Sequence, residues 1–128
     1  MARILVIDDD DEVRGMVKEI LVRVGHDVAE AVNGEEGLQI FAEEPTDLVI
    51  TDIFMPEKEG LETIRELKRI YPEVKIIAMS GGIAVMDSSH TLWLAKGLGA
   101  DRTVPKPIAR DELLAAVDDL LGCHQHRG

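Results

Sequence analysis

The amino-acid sequence predicts an α/β fold in which a parallel sheet of five strands carries helices on both faces. Short apolar runs recur along the chain, and amphipathic helical patterns alternate with them, at one strand–helix unit roughly every 25 residues. The runs are Ile4–Ile7, Asp27–Ala31, Leu48–Thr51, Ile76–Met79 and Thr103–Val104. The chain has 128 residues, a length that suits a single domain.

The composition of each run indicates where its strand lies in the sheet. The first, third and fourth runs are continuous and rich in apolar residues, as expected of strands that are buried on both faces. The run Asp27–Ala31 is weaker and alternates polar with apolar residues, which favours a position nearer an edge. The last run, Thr103–Val104, is the shortest.

The helical segments are recognised by apolar residues at helical spacing and by their ends. The first has an apolar face from Val13 to Val24 and stops at Gly25. The last carries Asp111 and Glu112 in its first turn, where acids interact favourably with the helix dipole. The segments are Val13–Val24, Gly34–Glu43, Leu61–Ile70, Thr91–Gly97 and Leu113–Leu121.

Charge and cysteine content narrow the function classes. The formal net charge is -11, which argues against unaided binding to nucleic acid or to an anionic membrane, because phosphate contacts require Lys and Arg. The single cysteine, Cys123, cannot form an internal disulfide, which fits a reducing compartment. No apolar stretch approaches membrane-spanning length, and we therefore expect a cytoplasmic protein.

Polar residues follow four of the predicted strands. Asp8–Asp11 follow the first strand, Asp52 the third, Ser80 the fourth and Lys106 the fifth. In a sheet of this kind ligands bind at the carboxyl ends of the strands, so these side chains are expected in one pocket. Within the acidic run, we expect Asp10 and Asp11 to cap the N-terminus of the first helix rather than to bind a metal.

Carboxylates gathered in this way require neutralisation. Two of them about 4 Å apart repel by roughly 4 kcal/mol at an effective dielectric near 20. Mg²⁺ is the natural cation, because it takes carboxylate oxygens and shares a phosphate oxygen. A carboxylate can then attack phosphorus to form an acyl phosphate, with the Lys106 ammonium spreading the transferred charge.

Four pieces of the sequence, in their order and spacing, resemble the response-regulator receiver domain, the CheY-like superfamily of two-component signal transduction. They are Ile4–Asp9, Val49–Pro56, Ala78–Ser80 and Lys106–Pro107. The resemblance implies a doubly wound (βα)5 flavodoxin-like fold with strand order 2-1-3-4-5. It implies a receiver domain over residues 1–121, and we expect residues 122–128 to form a disordered C-terminal tail.

The resemblance also implies roles for the residues of the pocket. Asp52 matches the phosphoacceptor, and Asp9 the acid that binds Mg²⁺ (or Mn²⁺) directly. Asp8 matches the acid that acts mainly through a metal-bound water, and the backbone carbonyl of Phe54 matches the remaining metal ligand.

Two further residues match groups that meet the phosphoryl group itself. Ser80 corresponds to the hydroxyl residue that moves toward it, and Lys106 to the lysine that pairs with it, with a cis peptide bond expected between Lys106 and Pro107. The implied donor is a histidine kinase or histidine phosphotransfer protein, and the output surface lies on the fourth and fifth strand–helix units. The downstream target is unknown, and the protein is expected to be a monomer or a phosphorylation-dependent dimer that promotes only its own phosphorylation and dephosphorylation.

The switch region departs from the family pattern. Thr103 stands where the family usually has Tyr or Phe, and it has no ring to rotate. Trp93 is either a substitute moving aromatic or ordinary packing on its helix. Ser80 and Lys106 are separated by about four residues more than is usual in the family, and the excess falls in Gly81–Ser89. This segment is either a mobile part of the output face or a tolerated surface insertion.

Two other functions are weighed against a receiver. The spacing of Asp8 and Asp10 resembles the start of haloacid-dehalogenase-like phosphatases, but Glu12 stands where that motif prefers Thr or Val. The acidic pair Asp118–Asp119 lies within the last helix and does not close a strand. A flavodoxin-type binding module would need a Ser/Thr/Gly-rich loop after the first strand, whereas this loop is acidic. An unphosphorylated pseudo-receiver would usually lack an acid, the phosphoacceptor or the lysine, whereas all of them are present here.

Overall fold

The computed structural model describes residues 2–53, 59–80 and 99–122. The strands are β1 (Arg3–Ile7), β2 (Asp27–Ala31), β3 (Leu48–Asp52), β4 (Lys75–Ser80) and β5 (Arg102–Pro105). The helices of the described residues are α1 (Asp11–Arg23), α2 (Gly34–Glu43), α3 (Glu59–Ile70) and α4 (Arg110–Leu121). The predicted helix Thr91–Gly97, and the predicted tail beyond Gly122, lie outside the described residues.

The strands form one parallel sheet in the order β2-β1-β3-β4-β5. This confirms the predicted doubly wound fold and its strand order. Every residue of β3 is buried, as its continuous apolar run predicts, whereas β2 at the edge of the sheet is mostly half-buried. The strand order changes direction at β1, which pairs with β2 on one side and with β3 on the other.

Alternate residues of the strands build two cores, one on each face of the sheet. In β1, Leu5 and Ile7 belong to the core that includes Phe41 of α2 and Leu67 of α3. Ile4 and Val6 face the opposite core, whose other members include Val17 and Leu21 of α1 and Leu113 and Val117 of α4. Successive side chains of a strand point to opposite faces, which is why a continuous apolar run is required here.

Helix α1 begins where the acidic run predicts. The Asp10 carboxylate accepts hydrogen bonds from the backbone N–H groups of Glu12 (2.9 Å) and Val13 (3.3 Å), so that Asp10 is the N-cap. The apolar face predicted for this helix is wider than the face that is buried. Met16 is 39% exposed, and Val24, which is 43% exposed, is the C-cap residue that follows the end of α1 at Arg23.

No helix among the residues described combines the length and the apolar character that crossing a membrane requires.

Candidate functional site

Strand register brings the residues of the predicted pocket to one edge of the sheet. Ile7 is paired with Thr51, so the next residues along β1 and β3, Asp8 and Asp52, emerge side by side. Ser80 is the last residue of β4 and is paired with Pro105, after which Lys106 follows. The four groups therefore stand at the carboxyl ends of four neighbouring or adjacent strands, where a ligand site of this fold belongs.

Three carboxylates converge at this edge. One oxygen each from Asp8, Asp9 and Asp52 can be chosen so that all three lie within 4.8 Å of one another. Asp8 and Asp52 are buried, at 0% and 3% exposure, while Asp9 is exposed. Buried like charges at this spacing repel strongly unless a cation is close.

Lys106 supplies positive charge to the two buried acids. Its Nζ lies 3.0 Å from Oδ2 of Asp8 and 3.1 Å from Oδ2 of Asp52. Burial lowers the pKa of Lys106, but attraction by Asp52 and by Asp8 outweighs it, so the pKa is raised above its ordinary value. The side chain is therefore charged at neutral pH and bridges both carboxylates.

Asp8 is held in place by several contacts. Its Oδ1 accepts a hydrogen bond from the backbone N–H of Asp10 (2.9 Å), and its own backbone N–H donates to the carbonyl of Ala31 (3.2 Å). Burial raises the pKa of the Asp8 carboxyl above its usual range, and the hydrogen bonds from Asp10 and Lys106 oppose that rise. A further cation beside this buried carboxyl would stabilise its charged form.

Ser80 and Lys106 are linked through the backbone. The N–H of Lys106 donates to the carbonyl of Ser80 at 2.9 Å, and the peptide bond between Lys106 and Pro107 is cis, as predicted. The Ser80 side chain is buried at 4% exposure. The end of β4 and the loop after β5 are thus tied together at the pocket.

The remaining predicted site residues lie apart or outside the described residues. Thr103 is a half-buried residue of β5 paired with Ala78, three positions before Lys106. Phe54 and Trp93, predicted as a carbonyl ligand and as a substitute aromatic, lie outside the described residues. Their predicted roles stay predictions.

Arg14 is a neighbour of the site that sequence reasoning missed. Its Nη1 donates to the backbone carbonyl of Asp8 (2.8 Å), and its other nitrogens contact Asp11 and Glu30. Only one sequence signal pointed to it: Arg14 stands three residues after Asp11, at the spacing of a helical ion pair. The contact with a strand-end carbonyl has no signature in the sequence.

The geometry is unfavourable to a phosphatase that uses Asp8 and Asp10 together. The Asp10 carboxylate is exposed and accepts hydrogen bonds from the N-terminus of α1. Asp119, of the acidic pair Asp118–Asp119, lies on α4 and pairs with Arg102. Neither acid joins the cluster at the strand ends.

Comparison with known proteins agrees with this geometry. The chemotaxis protein CheY of Bacillus subtilis is 37% identical over 120 residues, a match that covers 93% of this chain and 97% of the relative. The DNA-binding transcriptional regulator NtrC of Azospirillum brasilense is 36% identical over 120 residues, covering 94% of this chain but 24% of that regulator. The chain thus spans about a quarter of one relative and nearly all of another.

Solved structures and a family model give the same result. The crystal structure of a response regulator receiver domain protein from Clostridium thermocellum has a TM-score of 0.86 and 32% sequence identity, with 100% of each chain covered. The family model described as the response regulator receiver domain matches residues 4–118. The chain therefore belongs to the response regulator receiver domain family and is a phosphoacceptor switch of two-component signalling.

Proposed function

We propose that Asp52 is the residue that accepts the phosphoryl group. The observation that carries this proposal is the position of its buried carboxylate, 3.1 Å from the Lys106 ammonium and within the cluster formed with Asp8 and Asp9. A carboxylate oxygen of Asp52 forms a bond to phosphorus while the phosphorus–nitrogen bond of a phosphohistidine breaks. The imidazole of the donor leaves with the bonding electron pair and takes up a proton from solvent.

The acid cluster fits a divalent cation. Its donors are carboxylate oxygens, which Mg²⁺ and Mn²⁺ accept, and two of the three carboxylates are buried. Asp8, Asp9 and Asp52 would hold the ion, together with the backbone carbonyl of Phe54, which matches the family's remaining metal ligand. When bound, the ion supplies neutralisation of the charge on the transferred phosphoryl group.

Lys106 and Ser80 serve the phosphorylated form. The Lys106 ammonium exchanges part of its contact with Asp52 for a phosphoryl oxygen, because the two compete for the same buried charge. Ser80, buried at the end of β4, donates its hydroxyl to another phosphoryl oxygen. Movement at β4 and β5 then carries the signal to the output face, on which Thr103 takes the place of the family's aromatic residue.

The partners belong to the proposal as well. A histidine kinase or a histidine phosphotransfer protein is the donor expected for such a site, and a downstream protein reads the change of shape. The protein promotes only its own phosphorylation and dephosphorylation, does so in the cytoplasm, and does not bind nucleic acid or membrane directly. It is either a monomer or a dimer that forms on phosphorylation.

The decisive experiment is intact-mass measurement after incubation with acetyl phosphate and Mg²⁺. The wild-type protein should gain the mass of one phosphoryl group, while Asp52→Asn and a wild-type sample with a chelator should not. Labelling of Asp52→Asn to the wild-type level would overturn the assignment of the acceptor. Continuing release of phosphate from a phosphate ester would instead favour the haloacid-dehalogenase-like phosphatase.

A further inference from the structure

Arg14 occupies an unusual position for a helix residue beside an acidic site. Its side chain is 13% exposed, and its guanidinium reaches three different parts of the chain. Nη1 donates to the backbone carbonyl of Asp8 (2.8 Å), Nη2 to the carboxylate of Asp11 (2.5 Å) and Nε to the carboxylate of Glu30 (3.2 Å). One side chain therefore joins the end of β1, the first turn of α1 and strand β2.

These contacts bracket Asp9 on both sides. The residue before it, Asp8, has its carbonyl fixed by Arg14 and its carboxylate bonded to the N–H of Asp10. The residue after it, Asp10, caps α1, and Asp11 is bound to Arg14. The exposed Asp9 carboxylate is thus carried on a short segment that Arg14 contacts at the Asp8 carbonyl on one side and at the exposed Asp11 carboxylate on the other.

Charge alone argues for the opposite effect. A positive side chain close to the acid cluster repels a divalent cation, so an arginine that acted only through its charge would weaken cation binding. Lys18 provides the comparison, because its Nζ lies 3.0 Å from the Glu30 carboxylate on the same face of α1. The described contacts of Lys18 include none with the backbone of the acidic segment.

We propose that Arg14 is a positioning residue for the cation site, which fixes the backbone at Asp8 and thereby holds Asp9 in an orientation that binds the ion. The proposal rests on the proposed function, since it concerns the same acid cluster. An arginine suits this task because its planar fork offers several donors in fixed directions, which a lysine does not. Removal of a group that orients a metal ligand without itself binding the metal typically lowers the metal affinity by about 10- to 100-fold.

The test compares Arg14→Met with Lys18→Met by titration calorimetry with Mg²⁺ alone. Both substitutions remove one positive charge and one ion pair with Glu30. Arg14→Met in addition removes the ion pair with Asp11 and the hydrogen bond to the Asp8 carbonyl. We expect Arg14→Met to bind Mg²⁺ about tenfold more weakly than the wild type. Lys18→Met should bind it no more weakly than the wild type, because it only reduces repulsion.

Arg14→Lys keeps the charge and loses the fork, and it should bind with intermediate affinity. Amide hydrogen exchange at Asp9 and Asp10 without metal should be faster in both Arg14 variants than in Lys18→Met. A merely structural role would lower the melting temperature of the Arg14 variants and leave the affinity unchanged.

The outcomes separate this inference from the proposed function. Equal Mg²⁺ affinities for Arg14→Met and Lys18→Met would overturn the role of Arg14 while leaving the cation site intact. Absence of Mg²⁺ binding in the wild-type protein would overturn the cation site itself. If Arg14→Met does not fold, Arg14→Lys decides: wild-type affinity in that variant counts against the positioning role, and weaker binding supports it.

Discussion

At the level of single residues, the contacts of Lys106 bear on the free energy that can drive a change of conformation. The Lys106 ammonium bridges two buried carboxylates, and its backbone N–H donates to the carbonyl of Ser80. A shift of a conformational equilibrium from 1:99 to 99:1 requires about 5.5 kcal/mol of differential stabilisation. Hydrogen bonds to a charged group contribute roughly 1.5–3 kcal/mol each, so Ser80 and Lys106 together nearly suffice without an aromatic ring at position 103.

Substitution of Ser80 tests this division of the energy. We expect Ser80→Ala to accept a phosphoryl group as the wild type does but to lose most of the associated change of shape, since one of the two bonds that drive it is missing. Intact mass measures the labelling, and backbone amide shifts in β4 and β5 measure the response. A full wild-type response in labelled Ser80→Ala would contradict the prediction.

His26 gives a prediction about pH at a residue far from the acid cluster. Its Nδ1 accepts a hydrogen bond from the backbone N–H of Ala2 (3.2 Å). Burial lowers the pKa of His26 below its ordinary value of 6.5, and the Asp118 carboxylate acts in the opposite direction. Neutral His26 is therefore the form that the folded protein favours.

The sign of the effect follows from proton linkage. The unfolded chain binds the His26 proton more readily, so the stability contributed by neutral imidazole is complete above the unfolded pKa and is lost as the pH falls through the folded pKa. We expect the melting temperature of the wild type to fall more steeply between about pH 7 and pH 5 than that of His26→Gln. Parallel melting-temperature curves for the two proteins would exclude this contribution.

At the scale of the helices, two glycines differ in the space that they leave for a side chain. A Cβ at Gly37 in α2 would overlap Cδ1 of Ile7 and lie 2.9 Å from its Cγ1, whereas a Cβ at Gly15 in α1 would have nothing within 4 Å. Ile7 is fully buried in β1, so it has little freedom to move aside. The absence of a side chain at Gly37 is what allows α2 to approach the sheet just below the site.

Alanine at each glycine should therefore shift stability in opposite directions. Gly37→Ala should lower the free energy of unfolding by about 1 kcal/mol, because overpacking costs roughly 1–3 kcal/mol and alanine returns about 1 kcal/mol of helix propensity. Gly15→Ala should raise it by about 0.5–1 kcal/mol. Urea unfolding measures both free energies. A lower free energy of unfolding in Gly15→Ala would contradict the prediction, because the structure leaves space for a side chain at this position.

The same residues explain what the sequence could and could not predict about the elements. Strands β1, β3 and β4 were predictable because burial on both faces demands unbroken apolar runs, and the polar residues after them then had to meet at one edge. The close approach of Gly37 to Ile7 was not predictable, because it depends on the distance between a helix and the sheet. The contact of Arg14 with the Asp8 carbonyl was missed for a similar reason: a backbone acceptor leaves no trace in residue type.

At the scale of the whole molecule, folding and the cation site share one electrostatic problem. The chain has a formal net charge of -11, and three of its carboxylates are gathered within 4.8 Å. General repulsion among surface acids is screened by any salt, with a Debye length of about 8 Å at physiological ionic strength. Repulsion inside the buried cluster is screened much less, so a cation that enters the cluster should stabilise the fold in a way that ordinary salt does not.

Mg²⁺ should therefore raise the stability of the wild-type protein beyond the effect of NaCl at equal ionic strength. A ligand that binds only the folded state at 100 times its dissociation constant adds about 2.7 kcal/mol to the free energy of unfolding. Asp9→Asn should lose most of this increment while responding to NaCl as the wild type does, because it removes one acid of the cluster and leaves the remaining surface charge nearly unchanged. Thermal or urea unfolding in the two salts measures the difference. An equal increment in Asp9→Asn and wild type would mean that Mg²⁺ acts on the surface as a whole, and the link between the acid cluster and the stability of the fold would then be wrong.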